Sequence, residues 1–516
     1  KVELREITHL SIESEDLSFE ALHLCVEVDF SDYYSPKIDK DEKTADEKKK
    51  EEASLFKSLR IKNMSTKKAS FNKLTLQLTR PNTDKAMYDA LTINHPVSID
   101  ALKVDFEMDD LQEKMFTQLS FDQLTTQADA YDAAFYFRYL GANEQNTETQ
   151  SARGSMALEA LKDFSFKMDG DDMLLNIGTL DVEGISANEL QLRGKDFAFQ
   201  GGGILAIDIG LKGLILRLNT KTQTYALDQL TEFSIGEIDF ASKGANKLRV
   251  GGKQVSLKNA RLRNLLAQNL VLDLSTYKDA KGNALPSKAF DQFKQGRISV
   301  ENFNLGDLAI TGLFNLPQFA ATSLFVERYD EKKGITSTRG IRFGAGLAAE
   351  MSAQLQGGLI SLDAGSTFEG DYREERKIVG GAIVEENEFL SGSLNNTNLD
   401  VSGNVPGLAK VLELGLQADK LGFVYNRNAN TITLDMGEEI SLYHLDFEQD
   451  DNTYLRKLAD EGKPVRLLQP RATIRLLYQQ QQEGDETVST LVGYQLVNLH
   501  LDKIIASNLE AKMGGS

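Results

Sequence analysis

The chain has 516 residues, and 58 Lys and Arg stand against 77 Asp and Glu, which gives a formal net charge of −19. Its single cysteine excludes an intrachain disulfide framework and a multi-cysteine zinc site. The acidic balance argues against nucleic acid as a partner, because phosphate binding needs a concentrated surface of Lys and Arg. No run approaches eighteen uninterrupted apolar residues, so no transmembrane helix is predicted.

Residues 1–150 are predicted to form an α+β N-terminal part. Residues 1–30 alternate as a strand does, with Leu22, Leu24 and Val26 on one face. The run 39–52, DKDEKTADEKKKEE, mixes seven acids with five lysines and is interpreted as a solvated insertion between two strands. The alternative, a docking tail, is disfavoured because the charges are of both signs.

A helix is predicted near residues 109–140. Leu111, Met115 and Leu119 recur at four-residue spacing, and two aspartates at 109–110 stand where a helix N-terminus favours negative charge. The aromatic residues that follow could pack in a core or line a ligand cavity.

The polar segment 141–154 is the predicted domain boundary. Beyond it, residues 155–516 read as a repetitive antiparallel β region of strands and hairpins, such as the one that turns at 426–430. Short helices are predicted at 287–294 and 454–461, each closed by a glycine.

Four segments share apolar residues in successive steps of 2, 3, 2, 3 and 2: residues 180–192, 260–272, 298–310 and 499–511. Two apolar residues two apart lie on one face of a strand, and an extra residue that forms a bulge restores that face for the next pair. The pattern predicts a mainly β fold with an elongated, curved antiparallel sheet, groove-like or sandwich-like. Two alternatives remain: a single-coil β-helix, which lacks the small residue needed at each turn, and chance alignment of leucine-rich strands.

The apolar positions of this repeat are the candidate ligand-binding residues. They are Val182, Ile185, Leu190, Leu262, Leu265, Leu270, Val300, Phe303, Leu308, Leu501, Ile504 and Leu509. Each could equally belong to an ordinary sandwich core.

Two runs carry a family resemblance, GTLDVEGISANELQLRG at 178–194 and NARLRNLLAQNLVLDL at 259–274. Their texture resembles the repeats of the AsmA/TamB superfamily, over residues 155–516 at most. Members of that superfamily are long bacterial cell-envelope proteins with a β-groove associated with carrying lipid along an apolar trough, and the resemblance implies an envelope or exported origin more than it implies a transport activity. This chain differs from that pattern in its charge-rich first part and in having no N-terminal membrane anchor. Similar texture occurs in very large secreted, toxin-like bacterial proteins.

No catalytic, metal or cofactor site is predicted. The segment 344–349 matches GxGxxA, but glycines at 357–358 and 365 leave no room for the helix that a dinucleotide site requires. The acidic segment 169–172 lacks the later ligands of a calcium loop. Five scattered histidines and one cysteine give no nucleophile with a base, so a non-enzyme is expected.

The leading hypothesis is a non-catalytic envelope or exported bacterial protein whose curved sheet presents an apolar trough for lipid or another hydrophobic ligand. The alternative is a structural or interaction module of a large secreted, toxin-like or injection-system-associated protein, with the apolar face sealed inside or against a protein partner. An enzyme with a site of loop carboxylates is the third hypothesis.

Overall fold

The structure is a computed structural model in which thirty strands and one helix are described. It describes residues 9–29, 58–79, 89–93, 96–108, 114–126, 133–140, 149–169, 172–193, 197–201, 203–219, 224–240, 246–250, 253–273, 275, 289–310, 314–355, 358–403, 410–448, 463–483 and 486–506. The charged run 39–52 and the helix predicted at 454–461 lie outside the described residues.

The strands up to residue 250 are β1 (His9–Glu15), β2 (Ser18–Glu20), β3 (His23–Asp29), β4 (Ser58–Phe71), β5 (Lys73–Thr79), β6 (Asp89–Ile93), β7 (Val97–Met108), β8 (Lys114–Thr126), β9 (Ala133–Leu140), β10 (Thr149–Asp169), β11 (Asp172–Arg193), β12 (Phe197–Gly201), β13 (Ile204–Asn219), β14 (Thr224–Phe240) and β15 (Asn246–Val250).

The elements that follow are β16 (Lys253–Asp273), the helix α1 (Ala289–Gln292), β17 (Phe293–Ile310), β18 (Phe314–Lys333), β19 (Thr336–Leu347), β20 (Met351–Leu355), β21 (Gly358–Leu362), β22 (Thr367–Val379), β23 (Ala382–Gly403), β24 (Lys410–Asn426), β25 (Thr431–Asp435), β26 (Glu439–Glu448), β27 (Val465–Leu468), β28 (Arg471–Glu483), β29 (Glu486–His500) and β30 (Lys503–Ile505).

The chain divides into two compact units. Unit 1 comprises residues 1–244 and 267–294, and unit 2 comprises residues 245–266 and 295–516. Neither junction coincides with the boundary predicted at 141–154. Strand β10, which begins at residue 149, pairs with both β8 and β9, which precede that segment.

In unit 1, the strands pair antiparallel, and several rows of the sheet consist of two shorter strands. Strand β10 pairs with β11 along one edge, and the two halves of its other edge pair with β8 and β9. Strands β8 and β9 therefore lie end to end as one row of the sheet. Strands β7 and β6 form the next row, and β4 and β5 form the one after it.

Unit 2 repeats this arrangement. Strand β18 pairs with β19 and β20, which are followed by the row of β22 and β21 and then by β23 and β24. Beyond β24 lie β25 with β26, β28 with β27, and finally β29 with β30. The mainly β, antiparallel fold expected from the sequence is therefore confirmed, including the hairpin that turns between Asn426 and Thr431.

The helix predicted near 109–140 is wrong. Residues 114–126 form β8 and residues 133–140 form β9. A four-residue spacing is twice the strand period, so Met115 and Leu119 fit a strand as well as a helix. Aromatic residues at 135–139 also favour strands. The only helix among the described residues is α1, which lies inside the short helix predicted at 287–294.

In β11 the steps of three in the repeat coincide with bulges, as predicted, at Glu183 and Asn188, where the pairing with β10 skips one residue. Within the steps of three in β16, Asn264 and Asn269 both have φ of 51°, and within a step of three in β17, Asn302 has φ of 55°. Asparagine tolerates this left-handed conformation better than other non-glycine residues, so these positions bend the strand at modest cost.

One face of unit 1 is apolar and contains the core. Leu158, Val182, Ile209 and Ile235 lie directly opposite one another on four successive strands, β10, β11, β13 and β14. All four side chains are buried, at 5–9% exposure. A second cluster joins Leu227, Leu230, Ala267 and Leu270. The opposite face of these strands carries exposed ion pairs such as Lys212 with Glu232.

Candidate site: the apolar face of unit 2

The predicted ligand-binding residues fall into two environments. Val182 and Leu270 are buried in unit 1, where Ile185 and Leu190 lie half-buried on the same strand as Val182. Leu262, Leu265, Val300 and Phe303 are half-buried in unit 2, on β16 and β17. Val300, Phe303 and Leu308 lie opposite Leu324, Ala321 and Leu316 of β18.

The last copy of the repeat is divided between two strands. Leu499 is the penultimate residue of β29, Leu501 lies between strands, and Ile504 in β30 is 55% exposed. Leu509 lies outside the described residues.

An aromatic floor, which the repeat did not identify, lies in the middle of the apolar face of unit 2. The floor comprises Val326, Phe343, Phe368, Leu390 and Phe423. Four of them are between 37% and 40% exposed, and Phe343 is half-buried. The floor residues are therefore more exposed than the buried residues Leu158, Val182, Ile209 and Ile235 of unit 1, and they leave apolar surface accessible to a ligand.

Glycines hold the aromatic rings flat on the sheet. Phe343 lies opposite Gly370, Gly370 opposite Gly392, and Gly392 opposite Phe423. A Cβ at Gly370 would lie 2.3 Å from the Phe343 ring, and one at Gly392 would lie 2.7 Å from the Phe423 ring. Each ring therefore covers a neighbouring strand where a side chain would otherwise stand.

A buried cluster bounds the floor at one end. Leu416, Ala418 and Ile440 are 3–9% exposed and pack against partly buried residues that include Leu399 and Leu421. Leu421 lies opposite Leu394, which in turn lies opposite Phe368 of the floor. The apolar face is thus continuous from the closed cluster to the open floor.

At the other end, toward the hairpin tips, the same face becomes charged. This charged rim comprises Arg339, Tyr372, Glu374, Arg376 and Glu388. Arg339 pairs with Glu374, whose side chain is 2% exposed, and Arg376 lies 3.1 Å from the same carboxylate. Because a buried carboxylate requires charged partners, the two arginines fix Glu374 in place.

The hydroxyl of Tyr372 donates to Glu388 beside Leu390 of the floor. Arg427 donates to the same carboxylate at 3.1 Å. Burial, and then the hydrogen bond to Glu388, raises the pKa of Tyr372 to about 12. This tyrosine therefore stays protonated and marks the border between the aromatic floor and the charged rim.

The opposite face of these strands is polar. Tyr329 donates to Asp371 at 2.8 Å, and the Arg342 guanidinium lies 3.9 Å from the centre of the Tyr329 ring. Burial, and then the contact with Asp371, raises the pKa of Tyr329 well above its usual value. This face of unit 2 also carries Phe389, whose ring centre lies 4.7 Å from the Arg373 guanidinium, so it combines charged groups with aromatic rings.

Metal-ligating residues do not converge in the part of the chain that is described: no three of His, Cys, Asp and Glu are grouped to hold an ion. Gly344 lies within β19, where the dinucleotide motif would require a helix to begin. No described helix is long and apolar enough to cross a membrane.

Comparison with known proteins gives no family assignment. No family model matches the chain, and no curated protein matches it. One solved structure that aligns is the crystal structure of the ferric citrate transporter FecA in the unliganded form, at 8% identity and a TM-score of 0.11. The alignment covers 85% of this chain and 74% of that one. So low a TM-score supports no conclusion about fold or function.

Proposed function

We propose that this chain is a non-catalytic protein that accommodates a lipid acyl chain or a similar hydrophobic ligand on the apolar face of unit 2. The observation that carries the proposal is the exposure of the floor, where Phe368 and Phe423 remain 38% and 37% exposed although they face the same way as a buried cluster. A sealed core would bury these rings as completely as the core of unit 1.

The chemistry of the floor suits a flexible hydrocarbon. Flat phenyl rings and aliphatic side chains offer dispersion contact without hydrogen-bonding groups that would be left unsatisfied. The charged rim supplies a polar border at one end only, so an amphiphilic ligand could lie with its polar end at the rim. The resemblance of residues 155–516 to AsmA/TamB repeats is consistent with this proposal. We include in the proposal that the protein belongs to the cell envelope or is exported.

The proposal is tested by titrating a fluorescent fatty acid into the wild-type chain and two variants. Phe423→Asp places a charge in the floor and should weaken binding at least tenfold. Val384→Asp is the matched control, because Val384 is 60% exposed near a hairpin tip outside the floor. Circular dichroism should show that both variants retain the β fold. Equal binding by all three proteins would refute the proposal.

The second candidate, a structural or interaction module, is favoured by a different feature. The last row of the sheet, β29 with β30, pairs on one edge only among the described residues.

A further inference from the structure

Strand β29 carries little of the charge that usually protects the edge of a sheet, although its pairing with β28 is bulged at Val492 and Val497. Natural edge strands usually carry charged residues or proline, or are very short, which prevents pairing with another chain. Strand β29 is 15 residues long, and its segment 491–499, LVGYQLVNL, contains no charged residue and no proline.

The side chains of this segment are also unusually exposed. Tyr494 is 80% exposed and Leu499 is 65% exposed. Four further apolar residues are 49–58% exposed: Leu491, Val492, Leu496 and Val497. Six large apolar side chains on one strand therefore face solvent beside a backbone edge that pairs with no other described strand.

The first row of the sheet is built differently. Strands β1 to β3 also pair on one edge only within the described chain, but they carry five acidic residues: Glu13, Glu15, Glu20, Glu27 and Asp29. Acidic residues discourage self-pairing, because they would face like charges in a second copy. The row of β1 to β3 and strand β29 thus differ in charge, the property that controls edge-to-edge association.

We propose that β29 is an interface through which two copies of this chain associate, edge to edge and antiparallel, around a twofold axis. Any antiparallel pairing of 491–499 with itself places uncharged residues opposite uncharged residues, so no register meets like-charge repulsion within the segment. The arrangement centred on Gln495 sets Tyr494 opposite Leu496 and Leu491 opposite Leu499, both favourable apolar pairs.

The area available is sufficient. Six side chains of this size, about half exposed, together with the backbone edge, would bury roughly 600 Å² per copy, or about 1,200 Å² in total, which is the lower limit of a specific interface. The net charge of −19 opposes association at long range, so pairing should strengthen with salt.

The test is the mass of the full chain in solution at physiological and higher salt, measured by light scattering. Wild type should give twice 57.2 kDa at micromolar concentration, and Tyr494→Lys with Leu496→Lys should give 57.2 kDa. Leu24→Lys in β3, where Leu24 is 50% exposed, is the matched control and should remain dimeric. A monomeric wild type would overturn the proposal, as would a dimer that survives the double substitution.

Hydrogen exchange separates edge pairing from contact between two apolar faces. Edge pairing protects backbone amides of 491–500 as the protein concentration rises, and the double variant abolishes this protection. If the mass doubles without such protection, the dimer forms through another surface and the edge-strand interface is wrong.

Discussion

At the scale of single residues, the rim of the apolar face is held by buried charge pairs and phenol–carboxylate hydrogen bonds. Glu374 is nearly inaccessible and contacts two arginines, while Tyr372 and Arg427 both bond Glu388. Arg339 and Arg427 lie 35 and 39 residues from the carboxylates that they contact, so these two contacts could not be read from local pattern.

Alkaline unfolding should report the hydrogen bond of Tyr372. Its pKa is raised to about 12 in the folded chain, against about 10 in an unfolded one. The folded state therefore holds this proton more tightly, and the contribution to stability is complete below about pH 10 and lost as pH rises toward 12. Tyr372→Phe, followed by urea unfolding between pH 8 and 12, should reduce the decline in stability that wild type shows over this interval.

Tyr329→Phe tests the same pH effect at a second tyrosine. Tyr329 also has a raised pKa, through burial and Asp371, but it lies on the polar face. Each variant should flatten the alkaline decline in part. An unchanged pH dependence in both would contradict the assigned hydrogen bonds.

The glycines beneath the rings give a second test at this scale. Gly370→Ala would bring a Cβ to 2.3 Å from the Phe343 ring, so the ring must move and we expect a loss of about 1–3 kcal/mol in unfolding free energy. Gly493→Ala is the control, because its nearest neighbour is a Leu477 atom at 3.9 Å. Denaturant midpoints at low protein concentration measure both, and equal midpoints would contradict the flat packing of the ring.

At the scale of the strand, the five-residue repeat of bulges could be predicted from the sequence. The type of secondary structure could not always be predicted. Steps of two and three fix where a strand bends while keeping one face apolar, and Asn264 and Asn269 occupy those bends. The same spacing of apolar residues also occurs in β29, with steps of 3, 2 and 3 between Leu491, Tyr494, Leu496 and Leu499. The error over 109–140 arose because a four-residue spacing fits both helix and strand.

The bend at Asn269 can be tested directly. Its side chain is exposed, so substitution removes no packing, and its φ of 51° is unfavourable for a β-branched residue. Asn269→Val should lower the unfolding free energy by about 1–2 kcal/mol, whereas Asn269→Gly should change it by only a few tenths. If valine and glycine give the same midpoint in urea, the left-handed bulge is not the reason for asparagine at this position.

At the scale of the whole molecule, composition anticipated an amphipathic sheet but not which part of its apolar face would be accessible. Val182 and Phe303 come from the same repeat, yet Val182 is buried whereas Phe303 is only half-buried. The exposure of a side chain depends on which residues pack above its strand. The spacing of apolar residues within the strand does not predict this packing. The floor of unit 2 also depends on glycines opposite aromatics, a pairing that requires the register to be known.

The buried apolar residues of unit 1 should contribute to stability as a hydrophobic core does. Leu270 is 5% exposed within a cluster of leucines, so Leu270→Ala should cost about 2–5 kcal/mol of unfolding free energy without changing fatty-acid affinity in the folded protein. A loss of ligand with unchanged stability would place the binding surface in unit 1 instead.

The central claim is that the aromatic floor of unit 2 binds a hydrocarbon chain. Photo-crosslinking with a diazirine-labelled fatty acid, followed by peptide mass mapping, tests it most directly. We predict adducts on peptides that contain Phe343, Phe368 and Phe423, and their suppression by excess unlabelled fatty acid. Adducts confined to unit 1, or labelling that excess fatty acid does not suppress, would contradict the account.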